Sequence, residues 1–222
     1  MLFAENQLFG RRCLAAMRTL SLHLRTGKPR LATDTSHALE FLMDHFLNGR
    51  PREISCALNE VLHWYVDAAY EPGSMKPGGL GGVLVDPKTT NVQQHFSLML
   101  TAAEVCAVTT EGSKNPIFEL ECLAMLAGVK VWANHLRHKH VILFTDNNGS
   151  LGAMISGVSR NSTGADIVHC FDAFVVWFER VNTASNPADE PSRNTSCSGL
   201  GEAVSIDLRD LSHMLSEFRS RG

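Results

Sequence analysis

Four acidic residues carry the chemistry this sequence suggests. Asp67 falls inside the apolar run Trp64-Tyr65-Val66-Asp67-Ala68-Ala69. Strand interiors are depleted in Asp, and an ionised carboxylate buried without a partner costs several kcal/mol, so it wants a cation or strong donors. Asp146 directly follows Val141-Ile142-Leu143-Phe144-Thr145, which sets it at the carboxyl end of an expected strand, the usual ligand edge of an α/β sheet. Asp189 lies in Asn186-Pro187-Ala188-Asp189-Glu190-Pro191, where two prolines stiffen the backbone that carries it. The fourth acid is Glu119 or Glu121. At about 100° per residue, Glu121 shares a helix face with Ala124, Met125, Gly128 and Trp132, the small residues among them suiting close approach to a sheet, whereas Glu119 points with Lys130 toward solvent. Glu121 is the expected ligand.

Taken singly, each acid has an ordinary explanation: Asp146 as a helix cap, Asp189 as a turn residue, Glu121 as a first-turn acid favoured by the helix dipole. Together they form an all-oxygen set suited to the hard cations Mg²⁺ or Mn²⁺. Two such ions roughly 3.5–4 Å apart can activate a water and stabilise the leaving oxygen of a phosphodiester. They also cancel the repulsion among the acids, so the metal-free cluster is expected to be destabilising.

Positioning these groups requires a mixed α/β architecture. Residues 1 to about 50 read as two helices, Gln7 to Leu24 and a second from Thr33–Ser36 to Leu47, separated by Thr26-Gly27-Lys28-Pro29. From about residue 59 the texture changes. Val61 to Tyr70 is β-branched and aromatic and reads as a strand. The glycine-rich Pro77–Gly82 reads as a hairpin turn, followed by strands at Val83–Val85 and Val92–Leu100. Then come a long helix over Pro116–Leu136, a strand over Val141–Thr145, helices over Asn148–Ser156 and Ala165–Arg180, a last strand over Val181–Ala184, and a terminal helix over Ser205–Phe218. Strands first and alternation afterwards imply a mixed sheet flanked by helices.

Composition narrows the function classes. The 222 residues are 44% hydrophobic and 19% charged, enough to bury a core, and the net charge of −3 is unlike that of a protein that coats nucleic acid electrostatically. Acidic metal ligands lower net charge without excluding an enzyme that acts on nucleic acid. No apolar run approaches the roughly 18 residues of a membrane span, and the start lacks a secretory pattern, so the expectation is an intracellular protein with no membrane partner. The six cysteines form no C-x-x-C pair and read as small hydrophobes in a reducing compartment. Gly78–Gly82 lacks the Lys-Ser/Thr of a phosphate loop, and there is no H-E-x-x-H and no G-x-S-x-G.

The acids in order, Val66-Asp67-Ala68-Ala69, Glu121-Cys122-Leu123-Ala124, Thr145-Asp146-Asn147 and Asn186-Pro187-Ala188-Asp189-Glu190-Pro191-Ser192-Arg193, resemble the ribonuclease H domain of retroelement reverse transcriptases, especially DIRS-like elements and their LTR-type relatives. The resemblance covers about residues 59 to 195. It implies a ribonuclease H-like fold, with a five-stranded mixed sheet of three antiparallel then parallel strands, flanked by helices. The implied activity is two-metal hydrolysis of the RNA strand in RNA–DNA hybrids. Asp67 would bridge two Mg²⁺ or Mn²⁺ ions, Glu121 and Asp146 would hold the ion on the leaving-group side, and Asp189 that of the attacking water. Asn147, Arg137, Lys139 and Arg193 are candidate contacts to the nucleic acid, with Arg160 and Arg180 as further phosphate contacts. Residues 1–58 would be a helical segment resembling the tail that joins a polymerase thumb to the ribonuclease H domain, and 59–222 the catalytic domain with its C-terminal helix. The polymerase domain of the same polyprotein would be the partner.

Some features depart from that family or leave other classes open. The polymerase motif Y/F-x-D-D is absent. His169, the nearest candidate for the loop histidine of bacterial-type ribonucleases H, falls in an expected helix and is given no role. A proofreading exonuclease would carry Asp-x-Glu on the first strand, where position 69 is Ala. The alternatives are a structure-specific nuclease of the same fold, or a catalytically silent scaffold from a domesticated element. Four retained acids count against the scaffold, since repelling carboxylates have no use without a metal.

Overall fold

The computed structural model describes residues 13–27, 30, 33–49, 61–89, 91–109, 116–137, 139–157, 159, 163–164, 167–168, 171, 175–195 and 197–221. The chain divides into two compact units, Met1–Ala57 with Ser216–Gly222, and Leu58–Leu215. In the first, α1 (Leu14–Thr26) ends on Gly27, whose φ of 60° is the left-handed cap glycine tolerates best. It packs on α2 (Thr33–Asn48) through Cys13, Met17 and Leu42. On α2, Leu42 is buried, while Phe46 and Leu47 are exposed.

The second unit is built on a six-stranded sheet in the order β5-β4-β1-β2-β3-β6. β1 (Val61–Tyr70), β2 (Gly78–Asp86) and β3 (Asn91–Leu100) form an antiparallel meander. β4 (His140–Thr145) runs parallel to β1, and β5 (Val175–Arg180) parallel to β4. This is the ribonuclease H-like arrangement, with one strand more than expected: β6 (Glu202–Ala203) adds a two-residue edge beside β3. α3 (Ala102–Val108) and α4 (Ile117–Leu136) follow the meander, and α5 (Asn148–Ser156) follows β4. A single turn, α6 (Asp189–Ser192), and the terminal α7 (Leu208–Arg221) complete the chain. Among the described residues no helix is long and apolar enough to cross a membrane.

Burial alternates along the first half of β1 and along β4, whereas β2 is buried without a break from Gly78 to Leu84. Leu62, Trp64 and Val66 of β1, Val141 and Leu143 of β4, and Leu80 and Leu84 of β2 are buried in the core. The Trp64 ring meets Trp132 of α4 edge-on at 5.8 Å. Gly128 makes that contact possible, because a Cβ there would stand 2.1 Å from the Trp64 ring. Lys130, farther along α4, reaches solvent and pairs with Asp210 of α7 at 3.6 Å.

Three expectations are corrected. The glycine run is not a hairpin turn but the first half of β2, buried from Gly78 to Gly82. Its residues are small because both faces are occupied: a Cβ on Gly82 would meet the Phe96 ring at 2.2 Å, and one on Gly79 the carbonyl oxygen of Ser192 at 1.8 Å. The expected helix to Arg180 ends in strand β5, and the strand expected over 181–184 is a 3₁₀ turn at Thr183–Ser185. Val175-Val176-Trp177-Phe178 is β-branched and aromatic, and parallel pairing with β4 decides its conformation. α3 lies where no helix is expected; its N-terminus is a full capping box between Thr101 and Glu104.

Candidate metal centre

Strand register aligns two of the acids. Tyr65 pairs with Phe144 across β1 and β4. Asp67 and Asp146 each lie two residues further on, so they emerge side by side at the carboxyl ends of neighbouring parallel strands, roughly 4.8 Å apart as strands are spaced. Glu121 reaches the same place from the second turn of α4. Carboxylate oxygens of Asp67, Glu121 and Asp146 all lie within 4.8 Å of one another. Asp67 is 5% exposed, Glu121 2%, and Asp146 is half-buried.

Each group is held. Thr145 Oγ1 donates to Glu121 Oε2 across 3.1 Å, and the backbone N–H of Ala68 also bonds the Glu121 carboxylate. Asn147, not Asp146, caps α5: its Oδ1 accepts from the N–H groups of Gly149 and Ser150 at 2.8 and 3.1 Å. That leaves the Asp146 carboxylate to the cluster. Ser192 Oγ donates to Asp67 Oδ2 at 2.5 Å.

Asp189 stands at the edge of the triad. It opens α6, with its side chain about one-third exposed, and its Oδ1 accepts from Arg193 Nε at 2.9 Å. It lies close enough to Asp67 for its charge to act there. The segment that carries it is latched to the sheet. Asn186 Nδ2 donates to Val66 O at 2.9 Å while its Oδ1 accepts from Ala188 N, and Ser97 Oγ donates to Pro191 O at 2.7 Å. Gly79 and Gly81 present bare backbone to this segment, a Cβ on Gly81 coming within 2.6 Å of Ala188 O.

The electrostatics are those of acids crowded in a poorly solvated place. Burial, with the neighbouring charges of Asp146 and Asp189, pushes the Asp67 carboxyl up to about 6, against the opposing Ser192 hydrogen bond and the Arg193 charge. Burial and the same crowding by Asp67 and Asp146 hold Glu121 well above the usual carboxylate range. Such a set is costly alone and fits a hard divalent cation, since its donors are oxygens with no nitrogen or sulfur among them. Burial also pushes the Cys122 thiol up, which keeps this neighbour of Glu121 inert.

The remaining candidates are distributed differently. Arg193 is engaged with Asp189 and, at 3.6 Å, with Glu71. Arg137 and Lys139 precede β4, at the end of the sheet opposite the carboxylates and roughly 20 Å away at about 3.3 Å per strand residue. Arg180 closes β5 beside Thr145, at the carboxylate end, and is exposed. Arg160 and His169 lie outside the described residues. Glu119 corrects an expectation, because it is 4% exposed rather than solvent-facing. The first turn of α4 is enclosed on more than one side, with Phe118 against Gly149 and Gly164, so helix phase alone does not decide exposure there. Ser192 and Asn186 are the residues that sequence reasoning left without a role. Their signal was present, since both belong to the stretch that contains Asp189.

No family model matches the chain, and no curated protein matches it. Among solved structures, the N-terminal RNase H domain of a Mycobacterium tuberculosis protein, fused to maltose-binding protein, is 16% identical, with 61% of this chain and 93% of that one covered and a TM-score of 0.45. RNase H1 from the halophilic archaeon Halobacterium salinarum is 16% identical over 61% of this chain and 99% of its own, with a TM-score of 0.43. The foamy viral protease-reverse transcriptase in complex with RNA/DNA hybrid is 12% identical over 82% of this chain and 28% of that chain, with a TM-score of 0.42.

Proposed function

We propose that this chain is a metal-dependent ribonuclease H that hydrolyses the RNA strand of RNA–DNA hybrids, working inside the cell as part of a retroelement reverse transcriptase. The observation that carries the reading is the convergence of Asp67, Glu121 and Asp146 within 4.8 Å at the carboxyl edge of the sheet. Asp189 is held beside them by a segment latched to β1 and β3. Asp67, Glu121, Asp146 and Asp189 would hold two Mg²⁺ or Mn²⁺ ions. When bound, these supply an activated water and charge stabilisation for the departing oxygen.

The rest of the work falls to the chain. Asp67 offers its carboxylate from a rigid strand interior, and Thr145 and Ala68 fix the rotamer of Glu121. Arg193 Nε donates to Asp189 Oδ1 and so aims that carboxylate. The hybrid backbone would lie along the carboxylate edge, where the exposed Arg180 would meet a phosphate. Arg137 and Lys139 would touch only a distant part of a long duplex. Discrimination between RNA and DNA would rest on 2′-hydroxyl contacts and duplex shape. In this reading, residues 1–58 are the connection to a polymerase domain of the same polyprotein, and 59–222 the ribonuclease H domain.

The test is a labelled RNA–DNA hybrid incubated with the full chain in Mg²⁺, Mn²⁺ or EDTA, beside RNA–RNA and DNA–DNA duplexes. Metal-dependent cutting of the RNA strand in the hybrid alone, leaving 5′-phosphate and 3′-hydroxyl ends, is expected. Cleavage unaffected by EDTA, or none in any metal, refutes the proposal.

A further inference from the structure

We infer that Ser192 is a positioning residue that sets the orientation of Asp67 toward a bound divalent ion and ties it to the segment bearing Asp189. The inference rests on the reading of the acidic cluster as a metal centre. Ser192 is fully buried, and its hydroxyl lies 2.5 Å from Asp67 Oδ2 and 2.9 Å from the backbone oxygen of Asp189. A serine hydroxyl has one proton to give. Here that proton is shared between a carboxylate of the cluster and the main chain of the residue that would supply its fourth member. Asp67 and Asp189 come from parts of the chain far apart in sequence, and one side chain bridges them.

The placement of Ser192 is tightly specified. Its backbone oxygen and nitrogen stand 1.8 Å and 2.4 Å from where Cβ atoms on Gly79 and Gly81 would lie. Any side chain on these two glycines would push the hydroxyl away from Asp67. Its N–H also closes the single turn of α6 by donating to Ala188 O at 3.0 Å. A hydroxyl held this rigidly selects one direction for the Asp67 carboxylate. Groups that orient a metal ligand from outside the coordination sphere typically change metal affinity about 10–100-fold when removed.

A helix cap outside the site separates this role from a general loss of stability. Thr101 Oγ1 accepts from the Glu104 N–H and caps α3, so its removal costs stability, about 1 kcal/mol, while leaving the segment that carries Asp189 in place. The experiment is calorimetric titration of Mn²⁺ into the full-length wild type, Ser192→Ala and Thr101→Ala, with circular dichroism confirming that each is folded and hybrid cleavage measured alongside. Ser192→Ala is expected to raise the Mn²⁺ Kd about tenfold or more, while Thr101→Ala stays within about twofold despite its loss of thermal stability. Equal Kd values in wild type and Ser192→Ala, or equal weakening in both variants, overturn the assignment. A wild type that binds Mn²⁺ but leaves the hybrid intact refutes the nuclease reading alone, and the Kd comparison then still decides the role of Ser192. A wild type that binds no Mn²⁺ overturns both.

Discussion

Gly81 and Ser192 meet through backbone alone: a Cβ on the glycine would stand 2.4 Å from the serine nitrogen, closer than real Cβ atoms come. The carboxylate segment therefore lies flat on β2 only because β2 has no side chain there. Gly81→Ala is expected to displace residues 188–192, lower hybrid cleavage at least tenfold and cost about 1–3 kcal/mol of stability, as overpacking does. Gly152→Ala is the contrast. That helical position has open space around it, so alanine should add about 0.4–1 kcal/mol and leave cleavage intact. Thermal melts and cleavage rates of the two variants check both.

The raised Asp67 and Glu121 groups make the metal-free chain pH-sensitive in a defined direction. Asp67 titrates at about 6 in the folded chain, against an ordinary value of 3.8, so the folded state binds the proton more tightly than the unfolded one. Its contribution is fully present below the unfolded value and is lost as pH rises through about 6. Unfolding free energy in EDTA should fall between about pH 4 and pH 7, by on the order of 3 kcal/mol for Asp67 alone, and the melting temperature should fall with it. Asp67→Asn should flatten that fall and be the more stable protein at pH 7.5. A flat wild-type profile contradicts the electrostatic account.

Divalent ions should reverse the same penalty. At pH 7.5, Mn²⁺ at about 100 times its Kd should stabilise the wild type by about 2.7 kcal/mol, and excess EDTA should remove the gain. Asp67→Asn should show little of it. Differential scanning calorimetry across a Mn²⁺ series makes the measurement.

Glu119 and Glu121 are both buried, yet only Glu121 belongs to the triad. Glu121→Gln is expected to abolish Mg²⁺-dependent cleavage. Glu119→Gln should alter stability while keeping cleavage within about threefold at saturating Mg²⁺. The reverse order would assign the ligand to the wrong turn of α4. Paired melts and single-turnover cleavage assays distinguish the two.

Much of this architecture could be read from local pattern. Val61–Tyr70 and Asn148–Ser156 form the elements their composition implies, since apolar period and capping residues agree there. Asp67 stood out because a carboxylate inside an apolar strand needs a reason. What escaped reading depends on neighbours distant in sequence. Glycine in β2 resembles a turn until α6 lies against it. β5 is strand because β4 offers it a partner. Glu119 follows the helix phase of Lys130, yet it is covered and Lys130 is not, because the two ends of α4 have different surroundings. Ser192 is one serine among many until the fold sets its hydroxyl on Asp67.

The most direct measurement is single-turnover cleavage of an RNA–DNA hybrid in Mg²⁺ by wild type, Asp67→Asn and Asp146→Asn, all shown to be folded. The account predicts cutting of the RNA strand by the wild type and a loss of at least about 1,000-fold in each variant, equivalent to roughly 4 kcal/mol of transition-state stabilisation. Wild-type rates in either variant would contradict it.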